Sequence, residues 1–205
     1  MGNPLTEVIQ ELHRGGLLTK SQATSLLCFT PKPKKPNSIK PNDKRNVSLL
    51  NTDYKTYTGV QTDRLRTLST KGLSKAQLSA GDDRRIHHGI NLARDAIQVA
   101  NTRREGSAIE DCDLKQAFDL MAMSWICKVF KAKGLSETNI QRFEKLYEDV
   151  YTVVIVNNQL GRRIKIKRSI RQGDKPSSLF FDYGMDPLLI KLENHLKGIL
   201  LYSLP

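Results

Sequence analysis

Apolar residues recur at the helical period along much of the chain. Leu5, Val8, Ile9 and Leu12 form one stripe, and Gly15-Gly16 ends it. Tyr54, Tyr57, Val60, Leu65 and Leu68 mark the buried side of a helix over 51–68. Ile86, Ile90, Leu92, Ala93, Ile97 and Ala100 supply the apolar face of a further helix over 86–101. Phe118, Met121, Trp125, Ile126, Val129 and Phe130 predict a helix that runs on to Lys133, where Gly134 stops it. Ser136 is placed to cap the next, with Ile140, Phe143, Leu146 and Tyr147 along it. A last helix is expected to open at 171–174 and to run through Leu179, Phe180 and Tyr183 to Ile190.

Strand patterns are fewer. Residues 26–30 are a short apolar run, and 152–156 are strongly β-branched. Asn157-Asn158 supplies residues that tolerate positive φ. Residues 163–167 alternate basic and apolar, as in a returning strand with one cationic face. The stretch 107–112 could feed a strand into Asp113, just ahead of a helix. A carboxylate held there reaches a metal or phosphate well. From these residues alone a polar turn former is the simpler reading. Between the first strands, Pro31, Pro33, Pro36 and Pro41 rule out a central strand over 31–45. The pattern describes an α+β chain with helices packed on a small antiparallel sheet.

Composition narrows the partners. The 205 residues carry a formal charge of +12, enough chain for one or two domains with a sizeable core. Such a charge favours polyanions, RNA or DNA, over a membrane, since no apolar run is long enough to span a bilayer. The start has no secretory signal pattern. Met1 to Thr6 formally fits a myristoylation pattern, but such short patterns match often by chance. Cys28, Cys112 and Cys127 are an odd, widely spaced set without a Cys-x-x-Cys pair. They argue against zinc and against a disulfide framework, so an intracellular setting, nucleus or cytoplasm, is expected. His87 and His88 point apart on a helix and have no further ligand at metal spacing; His13 and His195 are isolated.

Two basic elements stand out. Lys32, Lys34, Lys35, Lys40, Lys44 and Arg45 crowd the proline-rich loop over 31–45. It reads as a solvated loop, a nuclear localisation patch or a phosphate-contacting tip. Arg163, Lys165 and Lys167 alternate along the second strand of the hairpin, as a solvated face or a contact for a template backbone.

Four blocks carry a family resemblance. Asp113-Leu114-Lys115-Gln116-Ala117-Phe118-Asp119 resembles the Leu-Asp-x-x-Lys-Ala-Phe-Asp motif of reverse transcriptases from non-LTR (LINE-type) retrotransposons. Residues 45–55, Arg-Asn-Val-Ser-Leu-Leu-Asn-Thr-Asp-Tyr-Lys, resemble the family's Arg-Pro-Ile-Ser-Leu-Leu-Asn-x-Asp-Tyr-Lys. Ile170-Arg171-Gln172-Gly173-Asp174 resembles Val-Arg-Gln-Gly-Asp, and Pro187-Leu188-Leu189-Ile190 resembles the segment that follows. The blocks keep the family's order.

The resemblance implies a partial right-hand polymerase: fingers over 1–106, then part of the palm over 107–205, interrupted before the Asp-Asp motif. It implies RNA-directed DNA synthesis by two Mg²⁺ ions about 4 Å apart. Asp113 would be a catalytic metal ligand, the Leu114 carbonyl another, and Phe118 the gate against a ribose 2′-hydroxyl. Arg45, Gln172 and Gly173 would meet the nucleotide, with Arg45 gripping phosphate oxygens in pairs. Lys32, Lys34 and Lys35 would join Arg163, Lys165 and Lys167 against the nucleic acid. Asp119 would be a helix-start carboxylate pointing away.

Departures from the pattern are scattered. Asn46 replaces a Pro, Gly89 an Asn, and Lys175-Pro176-Ser177-Ser178 the family's Pro-Leu-Ser-Pro. Asp82-Asp83 superficially matches the missing doublet, but Arg84-Arg85 and a helix follow it instead of a strand. The expectation is therefore a fragment of a reverse transcriptase, inactive alone. The alternative is a non-catalytic nucleic-acid-binding protein on the same scaffold.

Overall fold

A computed structural model describes residues 3–79, 85–103, 106 and 108–196. The myristoylation pattern at Met1-Gly2, the Asp82-Asp83 doublet with Arg84, and Ser107 lie outside them, as does the side chain of Leu68. Helix α1 spans Pro4–His13. Asn3 caps it by accepting the Leu5 amide at 3.0 Å, and a proline costs nothing where that amide has no partner anyway.

Strand β1, Thr24–Pro31, pairs antiparallel with β2, Lys44–Leu49. Strand β3, Tyr151–Val156, lies parallel to β1, and β4, Gln159–Lys165, returns antiparallel to β3. The sheet runs β2-β1-β3-β4 and is mixed, which corrects the expectation of an antiparallel sheet. The reason is topological: the long helical stretch between β1 and β3 acts as the crossover that parallel neighbours need. Pro31 ends β1, beyond Leu27 where the parallel pairing with β3 stops. Thus the proline-rich stretch caps a hairpin and stays out of the sheet's centre. Strand β4 starts at Gln159 and not at Arg163, because Asn157 and Asn158, at φ 50° and 60°, turn the chain in two residues.

The helices supply the core. After β2 come α2, Thr52–Gly72, and α3, Ile86–Arg103. Next are the single turn α4, Ala117–Leu120, then α5, Met123–Ala132, and α6, Glu137–Lys145. The last described helix, α7, is Ser177–His195. Phe130 of α5 is the hub. Its ring meets Phe143 at 5.5 Å, Phe180 at 5.5 Å and Tyr183 at 5.0 Å, the last two edge-on. Tyr54, Tyr57, Ile126 and Ile170 belong to the same buried cluster. Lys133 pairs with the fully buried Asp186, which also accepts the Ser74 amide at 2.7 Å, and so locks α7 to the end of α2.

Three expectations need correction. Residues 108–114 form no strand and are exposed. No described segment pairs with them, and a strand without a ladder partner leaves its amides to water. The helix expected from Phe118 to Lys133 breaks at Met121-Ala122, both extended. That step seats Met121 against α7, where a Cβ on Gly184 would lie 2.7 Å from its sulfur. Finally, α7 begins at Ser177 and not at 171–174, where Gly173 at φ +102° cannot continue a helix. The apolar face of α3 stays open: none of its residues is buried, and Ile86, Ile90, Leu92 and Ile97 are exposed.

Candidate nucleotide and template site

One face of the sheet carries Leu27, Asn46, Ser48, Thr152 and Ile164, which alternate with residues of the other face. These five floor a cleft of about 430 Å³. Residues 165–169, Arg171 and Gln172 wall it, Lys167 and Arg168 among them, and Asp119 also lines it. The backbone welds three blocks together here. The Ser48 amide donates to the Gln172 carbonyl at 2.8 Å, and the Ile170 amide to the Phe118 carbonyl at 3.0 Å. Gly173 has φ +102°, and a Cβ there would sit 2.7 Å from the Ser48 carbonyl oxygen. Only glycine allows that approach.

Beneath the cleft lies a buried ionic network. Arg171 is 1% exposed. Its Nη2 donates to the Tyr54 hydroxyl and to the Leu146 carbonyl, the latter at 3.2 Å. The guanidinium also lies over the Tyr54 and Tyr147 rings, at 4.6 and 5.3 Å. Asp174 accepts the hydroxyls of Tyr54 at 3.0 Å, Thr58 at 3.0 Å and Tyr147 at 3.4 Å, with Arg171 at 3.9 Å. Burial pushes the Asp174 carboxyl above its ordinary value, while Arg171 and the hydroxyls pull the other way. The network fixes 171–174 to α2 and to Leu146-Tyr147 just past α6, so Gln172 is held at the cleft from below.

Of the residues singled out in the sequence, the fold gathers some and scatters others. Gln172 lines the cleft, with Gly173 and the Phe118 backbone beside it. The Phe118 ring stacks on Phe181, centroids 5.0 Å apart. Arg45 is exposed on β2 opposite Thr30, one residue from Asn46 and so on the other face of the strand. Asp113 and Leu114 are exposed in the irregular stretch before α4. Arg163 and Lys165 share a strand face, but β4 ends before Lys167. Arg163 covers the Tyr151 ring at 3.7 Å, and Lys165 pairs with Asp149. In the basic loop Lys32 and Lys34 are exposed, and Lys35 pairs with Asp43 at 2.7 Å. Sequence reasoning set Asp119 aside and missed Ser48, Asn46 and Arg168. The alternation of Asn46 and Ser48 was a usable signal once 44–49 is read as a strand. Burial raises the Asp119 carboxyl above its ordinary value.

The donor set does not fit the pair of Mg²⁺ ions that the resemblance implies. Among the described residues no group of three or more His, Cys, Asp or Glu side chains could hold a metal ion. Asp113 contributes one carboxylate and has no acidic partner in such a group.

The mixed sheet, the aromatic helical core and the cleft where three motif-like blocks meet define an α+β domain. The family model of the reverse transcriptase (RNA-dependent DNA polymerase) matches residues 31–203, and the chain belongs to that family. Its relatives place it among non-LTR retrotransposon sequences. It is 25% identical over 201 residues to the transposon TX1 uncharacterized 149 kDa protein of Xenopus laevis, covering 98% of this chain and 15% of that protein. It is 26% identical over 113 residues to a retrovirus-related Pol polyprotein from the type-1 retrotransposable element R2 of Popillia japonica, covering 55% and 18% respectively. The chain thus spans less than a fifth of these curated relatives. No helix among the described residues is long and apolar enough to cross a membrane.

Proposed function

We propose that the chain is the fingers, over 1–106, and part of the palm, over 107–205, of a non-LTR retrotransposon reverse transcriptase. It holds RNA or DNA but adds no nucleotide by itself. The observation that carries this reading is the cleft, where Ser48, Asp119 and Gln172 come together beside Lys167 and Arg168. Template backbone follows the cations, and Gln172 and Gly173 border the incoming nucleotide. Lys32 and Lys34 extend the contact along the β1–β2 hairpin and Lys165, in the cleft wall, at the end of β4, while Arg45 and Arg163 offer cations on the other face of the sheet. When Mg²⁺ is bound in a complete polymerase it activates the primer hydroxyl. Here Asp113 is one potential ligand, and no described residue completes the set. That isolation also favours a second reading, a non-catalytic nucleic-acid-binding protein on the same scaffold.

Fluorescence anisotropy with labelled single-stranded RNA tests the binding. Each phosphate neutralised on a single strand contributes a slope of about 0.7 in log K against log salt. Weak, sequence-independent binding with a steep slope is expected from a charge of +12. A flat response between low and physiological salt would remove the nucleic-acid reading.

A further inference from the structure

Ile39 is 93% exposed, more than any other large apolar side chain among the described residues. It sits near the tip of the β1–β2 hairpin, between Ser38 and Lys40. An isolated exposed isoleucine is ordinary on a mobile surface loop. This loop is braced. Asp43 accepts Lys35 Nζ and Ser38 Oγ, each at 2.7 Å. The Ser38 Oγ in turn accepts the Lys40 amide at 3.3 Å, and the Asp43 amide donates to the Lys40 carbonyl at 3.0 Å. Pro33, Pro36 and Pro41 cut the freedom of the chain around it. Ile39 is therefore held out between two anchored neighbours, with part of the ordering cost already met.

Its surroundings identify the partner. Residues 31–45 carry Lys32, Lys34, Lys35, Lys40, Lys44 and Arg45 against one acid, Asp43. An apolar point on a loop this rich in cations complements a surface that is anionic outside and apolar inside. A nucleic-acid duplex end has that make-up: phosphates flank the open face of the terminal base pair. Isoleucine is among the side chains that wedge between base steps and unstack them. An anionic lipid surface shares the charge, but one isoleucine without aromatic or further aliphatic neighbours is too little apolar area to hold a membrane.

We propose that Ile39 is a wedge that seats on the terminal base pair at a duplex–single-strand junction, with the hairpin's cations on the two backbones. This rests on the nucleic-acid reading above and adds a site to it. The hairpin then senses where a template ceases to be single-stranded, a property that charge alone does not confer.

The test uses the full chain and an RNA duplex with a single-stranded overhang. The fluorescent base 2-aminopurine is placed in the last pair, or in the duplex interior as a control. The wild-type chain is expected to raise fluorescence at the junction only. Burying one isoleucine should also make it bind the junction about tenfold tighter than the single strand. Ile39→Ala should erase both effects and leave single-strand affinity and its salt slope unchanged, since no phosphate contact is lost. The side chain touches almost nothing, so the variant should fold; circular dichroism checks this. Ile39→Phe should retain the effect. An Ile39→Ala chain that still opens the junction overturns the wedge while the nucleic-acid reading stands. So does equal weakening on single strand and junction. Ile39-dependent binding to phosphatidylserine vesicles without a junction signal assigns the tip to lipid instead. Absence of RNA binding at low salt removes both readings together.

Discussion

Asp113 and Asp174 stand in two stretches that resemble polymerase motifs, and the fold treats them in opposite ways. Asp174 is buried, accepts three hydroxyls and faces Arg171. Asp113 is exposed in an irregular segment. One carboxylate builds the site and the other would do chemistry in it. A carboxylate committed to three hydrogen bonds positions its own backbone; here it presents Gln172 to the cleft. A carboxylate left in water binds metal well only within a cluster of ligands, and the described residues form no such group of three or more.

The largest effect should come from the buried side of this comparison. Arg171→Ala strands the Asp174 charge in the core, and breaking a buried pair by removing one partner costs about 3–5 kcal/mol. A urea midpoint close to wild type would show that the network is not what holds 171–174. Next is Gly173→Ala. A side chain at φ +102° meets the Ser48 carbonyl oxygen at 2.7 Å. Backbone strain of this kind costs about 1–3 kcal/mol, and relief of the clash must move the 171–174 block away from β2. Thermal unfolding measures the loss. An unchanged melting temperature would mean that the block is free to shift. The smallest effect belongs to Asp113→Asn. An exposed residue without a packing role changes stability by less than about 0.5 kcal/mol. A large loss would place Asp113 in a contact that the fold does not show.

Much of the architecture was legible because periodicity reports burial. The stripes over 5–13, 51–68 and 136–147 and the β-branched run before Asn157-Asn158 all became elements near their expected bounds. What escaped was set by long-range partners. The parallel β1–β3 pairing depends on how the helices between them pack, which no local pattern encodes. The turn at Met121-Ala122 depends on Gly184, far along the chain. Strand β2 hid behind a motif, because Arg45 to Leu49 drew attention as a block and not as an alternating run. The apolar stripe of α3 was read correctly as amphipathic, yet periodicity cannot say whether a partner is there. The site was legible in its chemistry and not in its geometry: Gln172 and Gly173 reach the cleft, and Arg171 and Asp174 support it from below. Asp113 and Arg45 are the residues whose assigned roles need neighbours that the described fold does not bring to them.

Primer extension on an RNA template tests the central claim most directly: a family member that binds nucleic acid without a working metal centre of its own. The full chain is incubated with primer–template, the four deoxynucleotides and Mg²⁺ or Mn²⁺, and product length is read on a gel. No template-dependent extension is expected with either ion, from wild type or from Asp113→Asn. Extension by the wild type that disappears in Asp113→Asn would contradict the account, because a two-metal site would then have formed around Asp113 although the described residues offer no metal-binding group of three or more.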